Sequence, residues 1–231
     1  MLPGVRETDI PVPDAKNSLW KLNAETIGVY RVAYSPEHLA KLGKAAAQKD
    51  SAFSLEDRVG LVSDAFTLAQ AGYSKTSGGL ALMHALRGDN SSLVNTAAAL
   101  NLGKLASVWW EQPQPVRNAI NRFRADVFGP MARELTFEFG ANDSSELREL
   151  RETVITAAAS AGDTWTIDEI RRRFAPLQEH GDYSLIHPDL LRTVLSQAVK
   201  HGGEAEYETV MGVYRAPPTP AHKTSAMEAP V

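Results

Sequence analysis

Six histidines, His38, His84, His180, His187, His201 and His222, are the residues of this 231-residue chain best suited to metal or proton chemistry. A hydrolytic zinc site needs two imidazoles one helical turn apart and a third ligand within reach. No His-Glu-x-x-His occurs; His84 is followed by Ala85 and His201 by Gly202. Lone histidines near helix ends read as solvated groups. The chain has no cysteine, which excludes thiolate metal sites, thiol nucleophiles and disulfides. No Gly-x-Ser-x-Gly elbow is present, and Gly78-Gly79 lies in a helical stretch without phosphate-loop spacing. Neither a catalytic nor a metal-binding residue is therefore expected here.

Polar groups of another kind remain. Asp57 and Asp64 are seven residues apart, which places both carboxylates on one helix face about two turns apart. Such a pair could serve as acid and base. Pairing with arginine, Arg58 or Arg31, is the favoured reading, because no other pocket-forming signal accompanies them. Arg171-Arg172-Arg173 reads as a solvated helix turn rather than an anion-docking patch, since Asp168 and Glu169 precede it. Of Trp109 and Trp110, one must face a core and the other point about 100° away along a helix. The outward ring could line a peptide groove or pack on another domain, with ordinary packing against the next helix the favoured reading.

The balance of 24 Lys and Arg against 28 Asp and Glu gives a net charge of −4, which argues against nucleic acid as the partner. No apolar run approaches the roughly 18 residues of a membrane span, and residues 1–13 lack the apolar core of a signal peptide. A cytoplasmic location, without membrane contact, is the expectation.

Positioning falls to helices. Residues 1–17 read as an extended, proline-rich lead-in. Leu19–Leu22 and Gly28–Tyr34 alternate like two short strands, a hairpin that is marginal in water on its own. Beyond Pro36 the period is helical. Ser54, with Asp57 three residues on, caps a helix carrying Leu55, Val59, Val62, Phe66 and Ala69, and Gly72 ends it. Further helices are predicted over 76–87, 91–111, 115–137 (kinked or split at Gly129-Pro130), 144–161, 167–179, 188–201 and 204–215, with a weak one from Pro220. Gly88, Gly162 and Gly181 punctuate them. Short connections favour antiparallel neighbours, and the spacing of helix pairs suits an irregular stack of αα-hairpins.

Three stretches resemble the puromycin-sensitive type of zinc aminopeptidase, the gluzincin aminopeptidases, in the fungal and cytosolic branch. Trp20-Lys21-Leu22-Asn23 with Gly28-Val29-Tyr30-Arg31-Val32-Ala33-Tyr34 is similar to the family's Trp-x-x-Asn and Gly-Tyr-Tyr-Arg-Val-x-Tyr signatures. Asp57-Arg58 through Asp64-Ala65 resembles its Asp-Arg-x-x-Leu-x-x-Asp-Ala helix, and Gly202 through Tyr207 with Tyr214 resembles a late helical unit.

The resemblance implies a mainly α fold: an irregular αα-superhelix of the armadillo or HEAT kind over 36–231, truncated at its C-terminal end. It is preceded over 1–35 by the lead-in and a short β-hairpin left from a β-sandwich domain. It implies a non-catalytic C-terminal domain that caps the active site of a zinc metalloaminopeptidase and bounds its peptide cavity. The catalytic domain, the zinc and the Gly-Ala-Met-Glu-Asn motif would lie upstream, so the chain alone is expected to be inactive and to be a fragment. Expected partners are that catalytic domain and the peptide substrate. Tyr30, Arg31, Asp57, Arg58, Asp64 and Trp110 are the residues expected at the interdomain or cavity surface. A free-standing α-solenoid binding module is the alternative; it would have no use for half a sandwich.

Overall fold

A computed structural model describes residues 18–229, together with 9, 11, 12 and 14; most of the expected lead-in over 1–17 lies outside them. Among the described residues ten α-helices form: α1 Pro36–Ala46, α2 Leu55–Gln70, α3 Thr76–Leu86, α4 Ser92–Val108, α5 Gln114–Leu135, α6 Ser145–Ser160, α7 Thr164–His180, α8 Leu191–His201, α9 Glu204–Arg215 and α10 Pro220–Met227. The fold is mainly α, and no strand occurs among the described residues. The chain divides into two compact units, the first ending at Ala85 and the second beginning at Leu86.

Helix starts follow the caps written in the sequence. Ser54 accepts from the Asp57 amide while Asp57 accepts from the Ser54 amide, a reciprocal capping box. Ser91 and Ser144 cap α4 and α6 from one side only, each hydroxyl accepting from the amide three residues on. The stops hold too. Gly72, Gly88, Gly162 and Gly181 all adopt φ between 69° and 86°, the left-handed backbone that lets a helix end without a Cβ penalty. In the first unit, a Cβ on Gly43 of α1 would stand 2.9 Å from the Ala85 methyl group and 3.0 Å from Leu82. Only glycine permits that approach of α1 to α3.

The hairpin expected over 19–34 does not form. Residues 24–26 make a 3-10 turn, and bends fill the rest. Asn23, Glu25 and Thr26 have φ of 54–55°, incompatible with an extended ladder. Two amides from the segment, Glu25 and Val32, donate to side-chain carboxylates instead of to a partner strand.

In the second unit α6 is central and packs on α4, α5, α7 and α8, while α8, α9 and α10 pack together. Ala157, Ala158 and Ala159 of α6 are all buried, as are Val154 and Ile155, so the helix is covered on most of its circumference. Of the kink or split expected at Gly129-Pro130, the split does not occur. α5 runs through Pro130 as one helix, because Pro130 lies on an exposed face where the carbonyl it leaves unbonded can meet water. α7 starts three residues earlier than predicted. Asp163 caps it through the Thr166 amide (3.0 Å) and hydroxyl (2.8 Å), and Arg133 donates to both Asp163 oxygens at 3.1 Å.

Gly129 allows that arrangement, since a Cβ there would lie 2.5 Å from Asp163 Oδ2. Gly129→Ala gains about 1 kcal/mol of helix propensity but displaces a buried capping carboxylate. A net loss of about 1–2 kcal/mol is expected, read as a lower urea midpoint.

Candidate functional site

The segment 18–34 is fixed onto α2 by the two aspartates singled out from the sequence. Asp57 is 7% exposed. It accepts from Lys21 Nζ at 2.6 Å and from the Glu25 amide at 2.7 Å, besides its capping role. Burial works against its charged form, but the Lys21 ammonium and the Glu25 and Ser54 amides outweigh it, and the carboxyl is held below its ordinary value of 3.8. Asp64 accepts from Arg31 Nη1 at 2.8 Å and from the Val32 amide at 3.0 Å. The two acids therefore act as brackets for backbone rather than as an acid–base pair. Of the two arginines expected near the acids, Arg31 pairs with Asp64. Asp57 also takes a lysine, Lys21, which reaches the cap from the incoming loop; Arg58 lies half-buried on the same helix.

Between the brackets the loop closes on itself. Asn23, in left-handed backbone, accepts from the Gly28 amide at 2.6 Å and donates to the carbonyls of Gly28 and Tyr30. The Thr26 hydroxyl donates to Glu56 O, and a Cβ on Gly60 would lie 2.3 Å from that hydroxyl. Trp20, Tyr34 and His38 form an aromatic cluster, with Trp20 and His38 stacked at 4.3 Å and His38 Nε2 2.8 Å from Trp20 O. The buried Tyr34 hydroxyl accepts from the Leu22 amide and donates to its carbonyl, and burial raises its pKa. His38 is thus part of the packing, not a solvated helix end.

The outer side of this loop is apolar. Ile27 is 78% exposed, Val29 fully exposed and Tyr30 58% exposed. In the second unit Trp109 is half-buried and Trp110 is 66% exposed, the division expected of adjacent rings on a helix end. Arg173 departs from expectation. It is 4% exposed, paired with Glu169 and Glu138, and its guanidinium lies 4.6 Å from the Phe137 ring centre. Only Arg171 and Arg172 of the triplet remain at the surface.

A cavity of about 380 Å³ opens between α7, α8 and α9, lined by Ile170, Arg171, Phe174, Gln197, His201 and Glu206 among others. Arg171 donates to His201 O at 3.3 Å and Glu206 accepts from the Gly203 amide at 2.7 Å. That amide, first, holds the Glu206 carboxyl below its ordinary value. Burial, then the neighbouring Lys200 charge, lowers the His201 pKa. The walls hold no nucleophile bonded to a base. Among the described residues no three His, Cys, Asp or Glu side chains converge to hold a metal, and no helix is long and apolar enough to cross a membrane.

Comparison with known proteins gives a consistent result. The family described as ERAP1-like C-terminal domain matches residues 19–230. Aminopeptidase 2 of Candida albicans is 30% identical over 222 residues, 96% of this chain and 24% of that protein. Alanine/arginine aminopeptidase of Saccharomyces cerevisiae is 31% identical over 211 residues, 91% of this chain and 24% of that protein. Aminopeptidase 2, mitochondrial, of the same yeast is 30% identical over 219 residues, 91% and 22% respectively. The chain thus spans about a quarter of the length of these relatives.

Proposed function

The chain belongs to the ERAP1-like C-terminal domain family of aminopeptidases, and from that premise we propose that it is the non-catalytic domain capping the active site of a zinc aminopeptidase and bounding its peptide cavity. The observation that carries this reading is the match of nearly the whole chain to about a quarter of each relative. Removal of N-terminal residues from peptides would then be the work of another part of the longer protein, in the cytoplasm. The described residues do not fit a zinc site of their own, so no step of hydrolysis is assigned to them.

Individual residues take roles within this reading. Residues 18–35 belong with a neighbouring domain of the longer protein, and the helices from Pro36 onward pair as αα-hairpins within each unit. Asp57 with Lys21, and Asp64 with Arg31, hold the loop at 19–34 so that Ile27, Val29 and Tyr30 present an apolar face to that neighbour. Their exposure supports the assignment, because contiguous exposed apolar side chains mark contact surfaces. Arg58 supports the same helix face, and Trp110 offers an aromatic wall to peptide.

The test has two arms. The chain alone is expected to show no chelator-sensitive hydrolysis of aminoacyl amides; robust activity would refute the reading. In the longer enzyme, Trp110→Ala is expected to raise KM for peptides about tenfold, the effect of losing one well-placed aromatic contact, while leaving small aminoacyl amides unaffected. An unchanged peptide KM would remove Trp110 from the cavity.

A further inference from the structure

The cavity between α7, α8 and α9 has two unmet polar atoms in its walls. Gln197 Oε1 and His201 Nε2 are both enclosed by protein, and neither has a hydrogen-bond partner. Gln197 is 7% exposed, and its Nε2 makes only a long contact, 3.4 Å, with Ser160 Oγ. An enclosed acceptor of this kind costs stability until a donor reaches it. Gln197 and His201 are four positions apart on α8, so they share one face of the helix. The last side-chain torsion of each is soft, which lets both atoms turn to a ligand. His201 is neutral at pH 7, because burial, then the Lys200 charge, holds its pKa below the ordinary 6.5. One of its ring nitrogens is therefore a bare acceptor.

Opposite charges line the same cavity. The Glu206 carboxylate accepts from the Gly203 amide at 2.7 Å and from the Gln178 carboxamide, and has room for a further donor. Arg171 donates to His201 O at 3.3 Å and pairs with Asp168 at 3.3 Å in solvent. That leaves part of its five-donor fork unused, and the exposed contact with Asp168 is weak. Among the described residues Arg171 and Glu206 do not close into an ion pair with each other. The floor is apolar, with Ile170 and Phe174. A volume of about 380 Å³ falls in the range of small-molecule sites.

We propose that this cavity is a receptor for a free α-amino acid with an apolar side chain, its ammonium held by Gln197, His201 and Glu206 and its carboxylate by Arg171. An ammonium has three N–H donors, and three acceptors await it. The guanidinium fork matches the two oxygens of a carboxylate. A ligand bearing one charge would leave either Arg171 or Glu206 unmet. The first residue of a peptide presents the same ammonium without the neighbouring carboxylate, so leucinamide stands for that source.

Calorimetric titration of the whole chain with L-leucine, leucinamide, 4-methylpentanoate and glycine tests this. Saturable binding of L-leucine is expected. Leucinamide lacks the carboxylate and 4-methylpentanoate the ammonium, and each should bind at least about tenfold more weakly, as loss of a charge-assisted contact does. Glycine, with no side chain to cover the floor, should bind at least about fivefold more weakly. Gln197→Leu is expected to leave the ligand-free Tm unchanged or higher, because an unmet acceptor is removed, and to weaken leucine about tenfold. A merely structural glutamine would give the reverse, a lower Tm with leucine binding intact. Arg171→Gln, at the surface, is expected to fold normally and to bring leucine down to the affinity of leucinamide, with leucinamide itself unchanged. No saturable binding of L-leucine, equal binding of any of the three analogues, or leucine binding unchanged in both variants overturns the proposal.

Discussion

Asp57→Ala is expected to destabilise the first unit by about 3 kcal/mol, at the lower end of what breaking a buried ion pair costs. The low end applies because Lys21 would not be stranded: its Nζ also donates to the carbonyls of Leu22 and Asn23. What is lost outright is the acceptor for the Glu25 amide and half of the capping box on α2. A capping interaction is itself worth about 1 kcal/mol. Asp57→Asn keeps one acceptor oxygen and should cost about half as much, and Lys21→Met less again, since two amides still serve the carboxylate. Urea titration followed by hydrogen exchange over residues 18–34 reads both size and place.

The same residue sets an acid limit. Its carboxyl titrates lower in the folded chain than in the unfolded one. Its contribution is therefore complete above the unfolded value near 3.8 and disappears as pH falls through the folded value. Asp57→Asn should flatten that part of the stability profile; an unaltered acid limb would show that other carboxylates set it.

Phe128→Ala should be equally damaging in the second unit, by about 3–5 kcal/mol. Phe128 is 1% exposed, on the helix that packs against α4, α6 and α7. Its removal opens a void among tightly packed helices that relax only in part. Phe128→Leu, which refills most of the volume, should recover more than half of the loss. Equal losses for both would mean that the neighbours relax.

The helices were readable because each signal is local. Ser54 with Asp57, Ser91, Ser144 and the four left-handed glycines lie within a turn of the ends they define. The first helix, Pro36–Ala46, has its own cap at Ser35 but was not separated from the general helical period. What escaped the sequence is long-range. Lys21 finds Asp57 across 36 positions, and Arg173 is drawn inward by Glu138, 35 residues away. Nothing near either residue announces it. Alternation at Gly28–Tyr34 suggested a strand, yet the Asp64 carboxylate took the Val32 amide and the Asn23 carboxamide the Gly28 amide. The family motif and the cap at Asp57 were legible in the acids themselves; their grip on the amides of Glu25 and Val32 was not.

The two aspartates also act as a ruler. Seven positions along a helix advance about 10.5 Å, whereas the seven from Glu25 to Val32 could reach about 24 Å if stretched. More than half of that reach is slack, taken up by the turn at 24–26 and the Asn23 closure. An extra residue near Ile27 should therefore be absorbed by the loop. One extra residue in α2 between the two acids would swing Asp64 about 100° around the axis and detach Arg31 and Val32 together. Insertions tolerated in the loop and forbidden in the helix are the pattern this mismatch of lengths imposes.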